Sequence, residues 1–208
     1  MEKNALIDLI FPSRCAVCDR SGQNLCQQCK PLLLIFPREF QLFGLQILTV
    51  LRYTDETSKM LVALKEKGQS ALVAELSEML MPVLDALPAC ESTIYLVPAP
   101  SRPENFSKRG FHPMLLLAKR ISKAHPRIRV LNCLKFARSV QDQVGLSERD
   151  RIANLSKSMV LNQKVAGRVC YLLDDVVTTG ATALEAARVL KLGGASVPGV
   201  LAISYSKG

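Results

Sequence analysis

The stretch Cys170-Tyr171-Leu172-Leu173-Asp174-Asp175-Val176-Val177-Thr178-Thr179-Gly180-Ala181-Thr182 constrains this chain more than any other. The run over 168–173 reads as a strand buried on both faces, the kind that lies inside a parallel sheet covered by helices. Two acids follow it, then a Thr/Gly-rich turn, then a helix over 181–192. In such sheets ligands bind beyond the carboxyl ends of the strands. The turn offers hydroxyls and backbone N–H groups at a helix N-terminus, which suits a phosphate. Acids that accept hydrogen bonds from sugar hydroxyls, beside a phosphate cradle, describe a ribose phosphate site. An ordinary strand and helix with a capped junction is the competing reading, and agreement over thirteen positions of mixed character weighs against it. The turn lacks the Lys-Ser/Thr ending of a Walker loop, and no G-x-G-x-x-G motif occurs.

The remaining pattern extends the same α/β theme. Pro31 and Pro37 bracket a Leu/Ile/Phe-rich connector, and the β-branched stretch 46–53 reads as the first strand. Asp55, Thr57 and Ser58 offer caps for a helix whose buried face carries Met60, Leu61 and Leu64. A second helix is expected over 71–87, with Pro82 bending or ending it. Then come a strand over 93–97, a helix over 114–123 and an irregular polar segment through Val144. A short helix over 147–157 and a last strand over 197–204 complete the alternation, which implies a parallel sheet flanked by helices.

Four of the seven cysteines form two hooks, Cys15-x-x-Cys18 and Cys26-x-x-Cys29. A two-residue gap lets both sulfurs of a hook turn toward one metal, and four thiolates suit tetrahedral zinc. With no open position left, that zinc is structural, and chelation is expected to unfold the segment. Metal-free cysteines are disfavoured by two regular pairs so close together, and a thioredoxin-like pair by the lack of a surrounding βαβ pattern. Cys133, Cys170 and Cys90 read as core or incidental residues. Residues 1–36 are expected to form the zinc module and 37–208 the α/β domain.

The chain of 208 residues has no apolar run long enough to cross a bilayer, and its first residues lack the pattern of a signal peptide, so the cytoplasm is expected. A net charge of +9 would draw phosphates, nucleic acid or an anionic surface. The basic residues are dispersed in short clusters rather than one tail, a pattern that is more often a solvated surface than a nucleic-acid footprint.

The binding segment resembles that of the type I phosphoribosyltransferases, Tyr171 standing where a smaller aliphatic residue is usual. The whole chain resembles the ComF family, the zinc-bearing, phosphoribosyltransferase-like proteins of bacterial competence. Beyond the hooks and the segment over 170–182, the resemblance rests on Lys65-Glu66-Lys67-Gly68, Val97-Pro98-Ala99-Pro100, Arg109-Gly110-Phe111 and Gln143-x-x-Leu146-Ser147 with Arg151 and Asn154. His112-Pro113 departs from the Asn-Gln usual in the family, and Val140 from a hydroxyl residue.

The resemblance implies that phosphoribosyl pyrophosphate binds with Mg²⁺. Thr178, Thr179, Gly180, Ala181 and Thr182 would hold the 5′-phosphate, with Val177 in the same binding segment, and Asp174 and Asp175 the ribose hydroxyls. Ala99, Pro100 and Ser101 would approach the pyrophosphate, with Lys65, Lys67 and Arg109 as cationic neighbours. Asp174, Asp175 and Arg109 would carry the catalytic role. For the two lysines and Arg109, solvated charge beside a turn explains the spacing equally well. A mobile loop would include Arg138, Gln143, Leu146, Arg151 and Asn154.

No residue pattern identifies an acceptor. The resemblance implies a role in natural transformation, handling imported single-stranded DNA with other competence proteins. A transferase acting on a nucleobase and a zinc-tethered adaptor with a vestigial pocket remain as alternatives. Lys119, Arg120, Arg149 and Arg151 are candidate contacts to DNA phosphates. Aromatic stacking is expected to add little, since the chain has no Trp and several of its four Tyr and seven Phe lie in apolar runs that read as core.

Overall fold

The computed structural model describes residues 13–88, 93–101, 107, 110–138 and 147–206. A six-stranded sheet runs β1 (Ile35–Leu42), β2 (Leu45–Arg52), β8 (Ser196–Tyr205), β7 (Val169–Val177), β3 (Ile94–Pro98) and β4 (Ile128–Val130) in spatial order. Only the β1–β2 pair is antiparallel; the other four pairings are parallel. A separate antiparallel ribbon joins β5 (Leu134–Phe136) to β6 (Met159–Leu161). The α/β class with a largely parallel sheet flanked by helices is therefore borne out.

Two hydrophobic layers cover the sheet. Alternating residues of β7 divide between them: Tyr171 and Leu173 pack with one, Cys170 and Leu172 with the other. The first layer is formed by α1 (Asp55–Lys65), α2 (Leu72–Asp85) and α3 (Pro113–Ala124). The second contains α5 (Ala181–Leu192) and the β5–β6 ribbon, with α4 (Glu148–Leu155) packed on α5. Cys133 and Cys170 are fully buried in that second layer, as core residues should be.

Several expected elements shift, each for a local reason. The connector expected between Pro31 and Pro37 runs into β1, which begins at Ile35, so the stretch over 46–53 is the second strand. Pro31 sits in the first turn of a short 3₁₀ helix, Lys30–Leu32, where a missing N–H costs nothing. Pro37 lies on the sheet edge at the β1 register shift, a position where proline is tolerated. Thr54, rather than the residues after it, caps α1 by accepting from the Thr57 N–H at 3.3 Å. Pro82 does not end α2, which continues to Asp85 with Leu76, Leu80 and Leu84 buried along its face. The segment read as irregular holds β4 and β5.

His112-Pro113 starts α3: the His112 Nδ1 accepts from the Leu115 N–H at 3.2 Å, and Pro113 takes the first helical turn. The family departure at this pair thus has a structural role as a helix cap. No described helix is long and apolar enough to cross a membrane.

Candidate functional site

β7 runs past its neighbour. β3 ends at Pro98, opposite Leu173, and the Ala99 N–H donates to the Leu173 carbonyl at 2.8 Å. β7 continues through Asp174 and Asp175 to Val177, held on its other side by β8. The two acids are therefore inside the strand rather than beyond it, as the pattern had suggested, because β8 extends the pairing as far as Tyr205. Pro100 and Ser101 follow Ala99 at the same carboxyl edge, partly exposed.

The acids have different surroundings. Asp175 is buried, pairs with the Lys65 ammonium from the end of α1, and accepts from the Val176 N–H at 2.8 Å. Asp174 accepts from the Asp175 N–H at 2.9 Å. Partly enclosed at the strand end, Asp174 is pushed up to about 6 by desolvation, with the Lys65 charge opposing. Lys67 is exposed just beyond α1. The structure thus brings Lys65 to the acids and leaves Lys67 at the surface.

Beyond Val177 the chain turns through Thr178, Thr179 and Gly180 into α5. A hollow of about 20 Å³ is lined by Asp174 and the 176–183 segment. Gly180 has φ +74°, and a Cβ there would stand 2.5 Å from Leu42 Cδ2 and 3.3 Å from the Phe43 ring. Leu42 and Phe43 belong to the tight β1–β2 hairpin, whose turn residues Phe43 and Gly44 both have positive φ. This roof over the loop was missed from sequence. The available signal is the Phe43-Gly44 pair just ahead of the strand expected over 46–53, but the residues before it, 38–42, carry no strand expectation.

Of the expected loop residues, Arg138 donates to the carbonyls of Asn154 (2.8 Å) and Ser156 (3.0 Å), tying the C-terminus of α4 to the chain after β5. Arg151 lies on α4, and its buried Nε has no hydrogen-bond partner among the described residues. Arg109, Gln143, Leu146, Val140 and Cys90 lie outside the described residues. Lys119 and Arg120 on α3, and Arg149 on α4, are exposed.

The four hook cysteines converge. Their sulfurs all lie within 4.8 Å of one another, with Cys18 and Cys26 Sγ at 3.7 Å. Four Zn–S bonds of 2.3 Å in a tetrahedron place sulfurs about 3.8 Å apart, so the cluster fits this ion with little adjustment. Burial raises the Cys15 thiol, but backbone N–H groups of Cys26, Cys18 and Val17 outweigh it and bring the thiol to about 6. Burial and neighbouring thiols push Cys29 up to about 12. The module is docked on the first layer: Cys15, Cys26, Cys29, Leu25 and Leu33 share its core, and Lys30 Nζ reaches Glu75 Oε2 of α2 at 3.0 Å.

Fold and site together define an α/β protein with an acid-and-loop site at the carboxyl edge of a parallel sheet and a docked four-cysteine module placed to bind a metal ion. The chain belongs to the ComF-like family of the DNA utilization protein YhgH. It is 30% identical over 206 residues to YhgH of Escherichia coli strain K12, and 31% identical over 208 residues to YhgH of Salmonella typhimurium; each alignment covers 88% of this chain and 86% of the relative. No family model matches. Among solved structures, adenine phosphoribosyltransferase from Saccharomyces cerevisiae is similar over 87% of this chain and 90% of its own, with 11% identity and a TM-score of 0.41. Hypoxanthine phosphoribosyltransferase from Staphylococcus aureus covers 67% and 63%, with 12% identity and a TM-score of 0.35. Likenesses this distant carry no function across.

Proposed function

We propose that the protein binds phosphoribosyl pyrophosphate with Mg²⁺ at the carboxyl edge of β7 and acts in handling imported single-stranded DNA. The observation that carries this reading is the juxtaposition of Asp174 and Asp175 with the Thr178–Thr182 loop at the start of α5, beside a strand that stops short at Pro98. N–H groups and hydroxyls at a helix N-terminus suit a 5′-phosphate. Carboxylates suit ribose hydroxyls. Ala99, Pro100 and Ser101 stand where the pyrophosphate would lie, with Lys65, Lys67 and Arg109 as its cations. The donor chemistry fits Mg²⁺, which takes oxygen ligands, and a carboxylate already penalised by burial gains from a nearby cation.

Zinc in the Cys15, Cys18, Cys26 and Cys29 site would be structural, and residues 1–36 form its module beside a binding domain over 37–208. DNA handling is supported by the family, whose curated relatives carry the name DNA utilization protein. By the same resemblance the protein works in the cytoplasm beside other competence proteins. In a transfer step Asp174, Asp175 and Arg109 would face charge growing on the ribose and the departing pyrophosphate.

The test is the melting temperature with and without phosphoribosyl pyrophosphate and Mg²⁺, since a ligand of the folded state stabilises by mass action. A rise of several degrees is expected, and none would reject the site. Pyrophosphate release against a panel of nucleobases then separates a transferase from a binding protein.

A further inference from the structure

A cleft of about 220 Å³ opens between β1, β2 and β8, lined by Phe36, Arg38, Leu51, Arg52, Tyr53 and Tyr205 over a floor that includes Thr49. Phe36 and Tyr53, which the sequence pattern did not mark as surface residues, are 55% and 41% exposed. Tyr205 is held by the Phe40 ring, centroid to centroid at 4.6 Å. The Arg38 guanidinium stands 5.8 Å from the Phe40 ring and 6.0 Å from that of Tyr205. Among the described residues no carboxylate lines the cleft, while two arginines do.

We infer that this cleft holds bases of a single-stranded nucleic acid, stacked on Phe36, Tyr53 and Tyr205, with Arg38 and Arg52 on the adjoining phosphates. Aromatic faces in a basic groove are what a strand without sequence preference requires, because every base has a π-face and every link a negative charge. Arg38 is already placed over aromatic rings, so its charge is delivered without first ordering a long side chain. Position adds a second argument. Arg52 pairs with Tyr205, which pairs with Val177 at the start of the Thr178–Thr182 loop. The cleft and the loop therefore share the carboxyl edge of the sheet, two strand spacings or about 10 Å apart. The inference rests on the DNA-handling reading, to which it adds the place where the strand is held. It departs from the expectation that aromatic stacking adds little: Tyr171, Phe111 and Phe136 pack in the core as expected, whereas Phe36 and Tyr53 are exposed.

The test compares a short labelled oligothymidylate with an abasic strand of equal length by fluorescence anisotropy at fixed salt, using the full chain. The wild-type protein should prefer the strand with bases by about tenfold, as expected for a stacked base. Phe36→Ala with Tyr53→Ala, which leaves only Tyr205 of the three stacking rings, should cut the preference to about threefold or less while leaving the melting temperature and its rise with phosphoribosyl pyrophosphate unchanged. Arg52→Gln should flatten the salt dependence for both strands. Equal binding of the two strands by the wild type overturns the cleft and leaves DNA handling intact, as does a preference that is undiminished in the double variant. Binding of neither strand at low salt rejects the DNA reading itself. If the double variant changes the oligomeric state and not the preference, the cleft is a protein interface and the inference fails.

Discussion

Lys65, the last residue of α1, forms an ion pair with Asp175 near the end of β7, with side-chain exposures of 37% and 10%. The pair ties the first helix to the central strand and sets the field around Asp174. Replacing Lys65 with Met leaves a buried carboxylate without its cation, and should cost about 1–3 kcal/mol, measurable by urea unfolding. A neutral outcome would mean that solvent already screens Asp175.

Asp174 has its folded pKa raised from 3.8 to about 6. The stabilisation from its protonated form is complete below the lower value and is lost as pH rises through the upper one. Asp174→Asn, which does not titrate, should therefore be more stable than wild type above pH 6, by about 1–3 kcal/mol, with the difference vanishing toward pH 4. Melting curves across this range decide it. A difference independent of pH would show that Asp174 does not titrate in this window.

Metal removal should act on more than the N-terminal module. Cys15, Cys26 and Cys29 share one core with Leu61, Leu64 and Leu76, so unfolding of the segment also uncovers the first helical layer. Zinc analysis should give one ion per chain. Chelation, or Cys26→Ser, should lower the melting of the whole domain in a single calorimetric transition. Two separate transitions would show that the module is energetically independent.

Gly180 is confined twice, by φ +74° and by Leu42. Gly180→Ala should destabilise by about 1–3 kcal/mol, and adding Leu42→Ala should recover the steric part while the backbone part remains. Full recovery in the double variant would show that backbone strain contributes nothing.

Glu185 anchors the β5–β6 ribbon to α5. It is 4% exposed, accepts from Arg188 through both oxygens at 2.7 and 2.8 Å, and from the Met159 N–H at 3.2 Å. Burial raises its pKa, but the Arg188 hydrogen bonds and the Met159 N–H outweigh it and bring the pKa below the ordinary 4.5. Its stabilisation is thus present above that value and lost as pH falls through the lowered one. Arg188→Ala should cost about 1–3 kcal/mol at neutral pH and less in acid. A cost that grows in acid would contradict the ion pair.

The parts of the molecule that follow from local pattern were readable in advance: α5 over 181–192, the cysteine hooks, and the strand, acid and loop order along β7. What was not readable depends on partners far along the chain. The start of β1 falls in the stretch expected as a connector because an edge strand need not alternate and tolerates Pro37. β7 extends through its acids because β8 continues beside it, and the roof of Leu42 and Phe43 over Gly180 exists only once the hairpin closes. Lys65 was marked as a cation near the site, but its partner Asp175 lies 110 positions away in the chain.

Calorimetric titration of phosphoribosyl pyrophosphate with Mg²⁺ into the zinc-loaded protein addresses the site at β7 directly. One ligand per chain is expected, with binding abolished by Asp174→Asn together with Asp175→Asn and retained in Phe36→Ala. Absence of binding by a wild-type protein that carries its zinc and melts cooperatively would contradict the assignment of this edge as a ribose-phosphate site.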